Sequence, residues 1–177
     1  MSETADRRTK ALSYENEEIV ASFRASYGVS LEDARELFEE TKKWLWLCGT
    51  RPRTMRLTVF GPMKMLDEMW HTFILFTREY TEYCMENFGF YVHHAPTTRA
   101  EAEQYRQRAA ASPEETQAAL REERRAMMLL VHDELGVETL KRWFGDYAKR
   151  YSDECLRGLL IKHLPKHPAP SEAANHA

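Results

Sequence analysis

Asp67 and His71 stand four residues apart, with Trp70 between them, in the run Leu66-Asp67-Glu68-Met69-Trp70-His71. On a helix that spacing puts the carboxylate and the imidazole on one face, one turn apart. Two chemistries use such a pair: both side chains ligate one metal ion, or the carboxylate orients the imidazole. Further on come Tyr80, Cys84, Tyr91 and the pair His93-His94. Adding either histidine of the pair to Asp67 and His71 makes a two-histidine, one-carboxylate set, which suits iron or zinc with a position left open.

Geometry restricts these combinations. Cys84 follows His71 by thirteen residues, so on one continuous helix it lies about 220° around the axis. It falls on the apolar face with Trp70, Phe73, Thr77 and Tyr80, which argues against a cysteine-histidine metal site. The histidine pair follows Gly89, where the chain can reverse. Adjacent residues of extended chain point to opposite sides, so one of the two should face inward and the other water. Reaching back from Gly89 to His71 means covering about 27 Å of helix axis, whereas four or five extended residues span about 17 Å. A metal set therefore requires a kink near Thr77 or Gly89, or a histidine such as His132 from another helix. A structural role is the plainer alternative: Trp70 as a core anchor, and His71 as an imidazole held by a carboxylate or a carbonyl.

The surrounding chain reads as helical. Apolar residues make up 43% of 177, enough for one globular domain with a real core. Glycine and proline number seven each, which favours long helices over many short strands. The expected fold is all-α: a single-domain bundle of five to six helices over residues 13–164, with disordered segments at 1–12 and 165–177. A helix capped by Ser13 should run over 14–27, and Gly28 should end it. Ser30 caps a second helix whose stripe of Leu31, Ala34, Leu37, Phe38, Trp44, Leu45 and Cys48 should stop at Gly49. Residues 50–61 read as a positioning loop, and Pro62 starts a central helix to Phe88. Residues 97–111 are either a peripheral helix or a mobile excursion. Helices are also expected over 113–135, burying Leu120, Met127, Met128 and Val131, and from Leu140 toward Leu160.

The stretch from Met65 to Pro96 resembles the glycine-rich-domain-containing-protein-like family. The resemblance rests on an Asp-x-x-Trp-His core followed by tyrosine, cysteine, glycine and a histidine-rich exit: Asp67, Trp70, His71, Tyr80, Cys84, Gly89, His93 and His94. Plant members often carry a further histidine two residues after the Trp-His pair, and here that position is Phe73. The resemblance implies little about activity. Plant relatives are linked to development and stress responses through proteins that also carry a glycine-rich segment, and this sequence has none.

Other classes fit less well. The net charge of −3 lacks the basic excess of a nucleic-acid binder. Arg51, Arg53 and Arg56 form only a small patch, and Arg121, Arg124 and Arg125 sit among glutamates, as on a solvated helix face. No secretory signal and no membrane-spanning run is visible, so a cytoplasmic location is expected. Cys48, Cys84 and Cys155 form no CxxC and read as buried thiols. No Gly-x-Ser-x-Gly, Walker or Gly-x-Gly-x-x-Gly pattern occurs, and a Cys84-histidine nucleophile pair is a chance-level match. His132 should face solvent or a helix end, and His163, His167 and His176 should be solvated. Two functions remain. One is a scaffold module around Asp67-Trp70-His71 that binds a protein or peptide near Tyr91 and His94. The other is a metal-dependent enzyme or accessory factor, with iron or zinc held by Asp67, His71 and His93 or His94, and Tyr80 nearby as a proton donor.

Overall fold

The computed structural model describes residues 3–51, 57–152 and 158. Among them the chain is all-helical, with eight helices and no strand. In order they are α1 (Glu3–Leu12), α2 (Glu17–Tyr27), α3 (Leu31–Thr50), α4 (Lys64–Leu75), α5 (Thr77–Phe88), α6 (Arg99–Ala111) and α7 (Pro113–Leu135). The last, α8, runs from Val137–Lys141 through a π turn at Arg142–Asp146 into Tyr147–Arg150. A 3-10 turn at Gly61–Met63, with Pro62 inside it, leads into α4. None of the described helices is long and apolar enough to cross a membrane.

Local signals explain most of these boundaries. The Ser30 hydroxyl accepts from the Asp33 amide at the start of α3, satisfying one of the free N–H groups of the first turn. Thr98 and Glu101 form a reciprocal capping box that starts α6, so 97–111 is a helix and not an excursion. Gly28 and Gly89 end α2 and α5 in the left-handed region, at φ 62° and 76°, where a side chain would be strained.

The helix count exceeds the five to six expected, for three reasons. Within the segment expected to be disordered, 1–12, residues 3–12 form α1 instead: Ala11 is fully buried, and Arg7 donates to the Asn87 carbonyl at 2.8 Å. The cap at Ser13 gives way to Asn16, whose side chain accepts from the amides of Glu18 and Ile19, so the next helix starts at Glu17. The single helix expected from Pro62 to Phe88 is broken at Phe76 (φ −81°, ψ 65°) into α4 and α5. Finally, α6 is ordered. Along α7 only Met127 and Val131 are buried, while Leu120 is exposed and Met128 half-buried, so that helix projects further from the core than its pattern implied. The expected tail at 165–177, the end of the helix toward Leu160, Arg53, Arg56, Cys155 and the tail histidines lie outside the described residues.

Helix α3 is the centre, packing against α1, α2, α4 and α5. Trp44, Leu45, Trp46 and Leu47 are all buried in succession, as expected of a helix enclosed on every side. Two buried charges tie it to its neighbours. Lys42, with no exposure, donates to the carbonyls of Leu12 and Tyr14 and to Glu39 at 2.7, 2.5 and 2.7 Å. Glu40 accepts from Lys43, from Arg142 and, at 2.8 Å, from the Trp143 indole, which fastens α8.

Gly49 does not end α3. It lies inside the helix, and a Cβ there would meet ring carbons of Phe88 at 2.3–2.6 Å. Alanine would gain about 1 kcal/mol of helix propensity, but pushing a buried ring costs about 1–3 kcal/mol. With Phe88 nearly enclosed, Gly49→Ala is expected to lower stability by a net of up to about 2 kcal/mol in urea unfolding. An unchanged or higher midpoint would mean that α3 and α5 do not approach so closely.

Candidate functional site

The break at Phe76 turns α5 away from the line of α4, and Gly89 sends residues 90–97 back along the bundle. One buried hydroxyl joins these pieces. Tyr80 Oη donates to the Val92 carbonyl at 2.7 Å and accepts from Trp70 Nε1 at 2.9 Å. Val92 is buried, His93 exposed and His94 half-buried, the alternation expected of extended chain.

His94 thereby reaches α4. Its Nε2 lies 2.8 Å from Asp67 Oδ1, and its ring meets Trp70 edge-on at 4.4 Å between centroids. His71 Nε2 lies 4.0 Å from Asp67 Oδ2. One ligand atom from each of Asp67, His71 and His94 falls within 4.8 Å of the other two. His93 is not part of this cluster; its ring lies tilted against Tyr91, 4.9 Å between ring centroids. His132 is exposed on α7, 2.9 Å from Asp133.

The other expected residues fall outside the cluster. Tyr80 is fully buried, and burial pushes its hydroxyl well above the usual phenol range. With its proton directed at the Val92 carbonyl, Tyr80 positions the exit strip and is no ready proton donor. Cys84 is buried beneath it, its thiol pushed up by burial against the opposing pull of Val92 and Tyr80. Neither Cys84 nor Cys48 is in a disulfide.

Two contributors lacked a sequence signal strong enough to single them out. Glu68 Oε2 lies 3.4 Å from His71 Nδ1, the ring nitrogen facing away from Asp67, and it accepts from the Tyr27 hydroxyl at 2.6 Å. That chain, Tyr27 to Glu68 to His71, runs from α2 to α4. Burial and the Glu68 carboxylate push the Tyr27 hydroxyl up, which keeps it protonated as the donor. The i,i+3 spacing of Glu68 and His71 was visible, but nothing local placed Tyr27 beside them.

The cluster borders an open cavity of about 1080 Å³. Trp44, Phe60, Phe90 and Tyr91 give it apolar walls, and Arg51 and Lys64 line it as well. That size is just above the roughly 300–1,000 Å³ of small-molecule sites.

Two expectations follow. Tyr80→Phe leaves the Val92 carbonyl and the Trp70 indole without a buried partner, so thermal or urea unfolding should show a loss of about 1–3 kcal/mol. A neutral substitution would mean that the exit strip is held by something else. Cys48, expected to be buried, is half-buried at the cavity wall; its thiol is pushed up to about 12 by burial, against the opposing charge of Arg51, so the thiolate is scarce at any pH well below that value. In the native protein at pH 8, iodoacetamide labelling read by peptide mass spectrometry should spare Cys48, and labelling should appear on unfolding. Rapid native modification of Cys48 would contradict this burial.

No curated protein and no solved structure matches the chain. The family model described as UCP032817-like matches residues 8–136, from within α1 to just past α7, a span that contains Tyr27, Asp67, Glu68, His71, Tyr80 and His94. By that match the chain belongs to the UCP032817-like family.

Proposed function

We propose that Asp67, His71 and His94 hold a divalent transition-metal ion, zinc or ferrous iron, and that the protein is a metal-dependent enzyme or accessory factor acting on a molecule in the adjoining cavity. The observation that carries this reading is the convergence of three ligand atoms within 4.8 Å, from two separate elements, at the edge of that cavity. Metal bonds of roughly 2.1 Å place ligand atoms about 3–3.5 Å apart. The 2.8 Å pair would open slightly and the wider separations, up to 4.8 Å, would close, changes within the reach of side-chain rotation. Three protein ligands leave a position for water or substrate. A zinc ion held there by Asp67, His71 and His94 would supply Lewis-acid chemistry at that position near neutral pH. Glu68 at the far nitrogen of His71 fits the carboxylate-histidine-metal arrangement that orients a ligand ring.

The scaffold reading, in which a protein or peptide docks near Tyr91 and His94, has the aromatic wall of the same cavity in its favour. The resemblance to the glycine-rich-domain-containing-protein-like family belongs with this proposal, as does a cytoplasmic location. Neither chooses between the two readings.

Protein purified without a histidine tag should carry close to one zinc or iron per chain by elemental analysis, and added metal should raise its melting temperature by mass action. His71→Ala and His94→Ala should lose the metal, and His93→Ala should keep it. Glu68→Gln should weaken binding by about 10–100-fold. Wild-type protein that contains no metal and shows no melting shift with zinc or ferrous iron would overturn the metal reading. Stability lowered by His71→Ala with no metal dependence would favour the scaffold.

A further inference from the structure

The strip over residues 90–97 runs extended along the cavity, and its two edges are unalike. In extended chain the N–H and C=O of one residue point to one edge, and those of the next residue point to the other. Val92 turns both groups toward α5: its carbonyl accepts from Tyr80 Oη at 2.7 Å, and its amide faces the Cys84 sulfur. The same alternation sends the amides and carbonyls of Tyr91, His93 and Ala95 to the opposite edge. None of these groups has a hydrogen-bond partner among the described residues. The rings of Tyr91 and His93 lie 4.9 Å apart, on one face, as residues i and i+2 of a strand do. Pro96, which has no N–H, falls on the Val92 register and removes no donor from the open edge.

Such an edge is a template for another extended backbone. Its α5 side is closed, and all of 90–97 lines the cavity, so the open edge borders that space. What fits there must be slender. A second folded copy offers the same strip, backed by α5 and held by Tyr80, and that surface is too thick to enter the cavity. A lone extended segment does enter. Pairing along 91–95 engages about five of its residues, at roughly 3.3 Å each. Alternate side chains of the bound segment point to opposite sides. One set meets the apolar walls, Trp44, Leu57, Val59 and Phe60, and the other faces the open mouth.

We infer that the cavity docks an extended segment of another polypeptide, alternating apolar and polar residues, by main-chain hydrogen bonds to Tyr91, His93 and Ala95. The docking rests on the strip alone. That the segment is also the substrate rests on the metal reading: the pairing carries its backbone past His94, one of the proposed ligands.

Fluorescence anisotropy with the labelled peptide fluorescein-Thr-Val-Thr-Val-Thr-amide tests this, on zinc-loaded and chelator-treated protein. Two further peptides carry N-methyl groups, one on its valines and the other on its threonines. Only one of these sets points its N–H groups at the edge. That peptide should lose about tenfold or more in affinity, and the other less than about threefold. His93→Pro removes one outward donor and should weaken binding by about fivefold or more. His93→Ala keeps that donor and should bind as the wild type does. Should His93→Pro fail to fold, Ala95→Pro removes the next donor on the same edge and carries the test. No binding of the unmodified peptide, equal loss from both methylated peptides, or full binding by the proline variant would overturn the inference. Zinc bound by protein that ignores the peptide would leave the metal reading standing. Binding of one methylated peptide but not the other, in protein that takes up no zinc, would keep this inference and sink the metal reading. Self-association that the proline variant abolishes would assign the edge to a second copy and overturn the inference.

Discussion

The hydroxyl of Tyr80 is the contact on which the site depends. A buried phenol with both a donor and an acceptor partner fixes the positions of both, because leaving either unpaired in an apolar interior costs more than the bond itself contributes. Its partners are the Trp70 indole on α4 and the Val92 carbonyl on the returning strip. Trp70 stands next to His71 in sequence, and Val92 stands two residues before His94. One oxygen atom therefore sets the distance between the two halves of the cluster. The break at Phe76 makes this possible, since a straight helix would carry Tyr80 about 15 Å along the axis from Trp70.

The cavity wall depends in turn on α3. Trp44, Cys48 and Arg51 recur at intervals of four and three residues, so they share one face. Their direction is set by buried charges elsewhere on the same helix. All three protons of the Lys42 ammonium have acceptors, the condition under which a buried charge is tolerated. Two of those acceptors are carbonyls at the end of α1 (Leu12) and in the connection to α2 (Tyr14), so rotating α3 would strand the ammonium. Glu40 does the same toward α8 through Arg142 and Trp143. Apolar packing alone tolerates some sliding; these directional contacts do not.

Much of this could be read from local rules. The stripe and Ser30 cap of α3, the stops at Gly28 and Gly89 and the proline before α4 each follow from one residue's backbone preferences. So did the pairing of Asp67 with His71 and the inward-outward split of the histidine pair. What escaped depends on distant partners. Phe73 to Phe76 is an uninterrupted apolar run without glycine or proline, so nothing local marks the break. Only the mismatch between about 27 Å of helix and about 17 Å of return chain hinted at it. It left a kink near Thr77 as one of three ways to complete a metal set, beside a kink at Gly89 or a histidine from another helix. The segment 3–12 has few apolar residues, and its order comes from partners distant in sequence: Ala11 buried against the core, Arg7 reaching Asn87 and Lys42 reaching the Leu12 carbonyl. Gly49 looks like a stop in sequence because its true constraint, the Phe88 ring, lies far along the chain.

The three residues of the cluster are unequally supported. His94 is 16% exposed, pinned edge-on by Trp70 and bonded to Asp67. His71 is 46% exposed, and its far nitrogen has only the 3.4 Å contact to Glu68. Rigid ligands lower the entropy lost on binding, while a looser one lets the site close around an ion of imperfect fit. The looseness is bounded, because Glu68 is itself held at 2.6 Å by Tyr27. His71 can swing between the carboxylate on its own turn and the cavity, and the tether to α2 limits how far. A hydrogen-bonded histidine pair and a metal site are thus not rival uses of this geometry. The Asp67–His94 contact holds two side chains close to where an ion needs them, and the partly free His71 is the group that would complete the set.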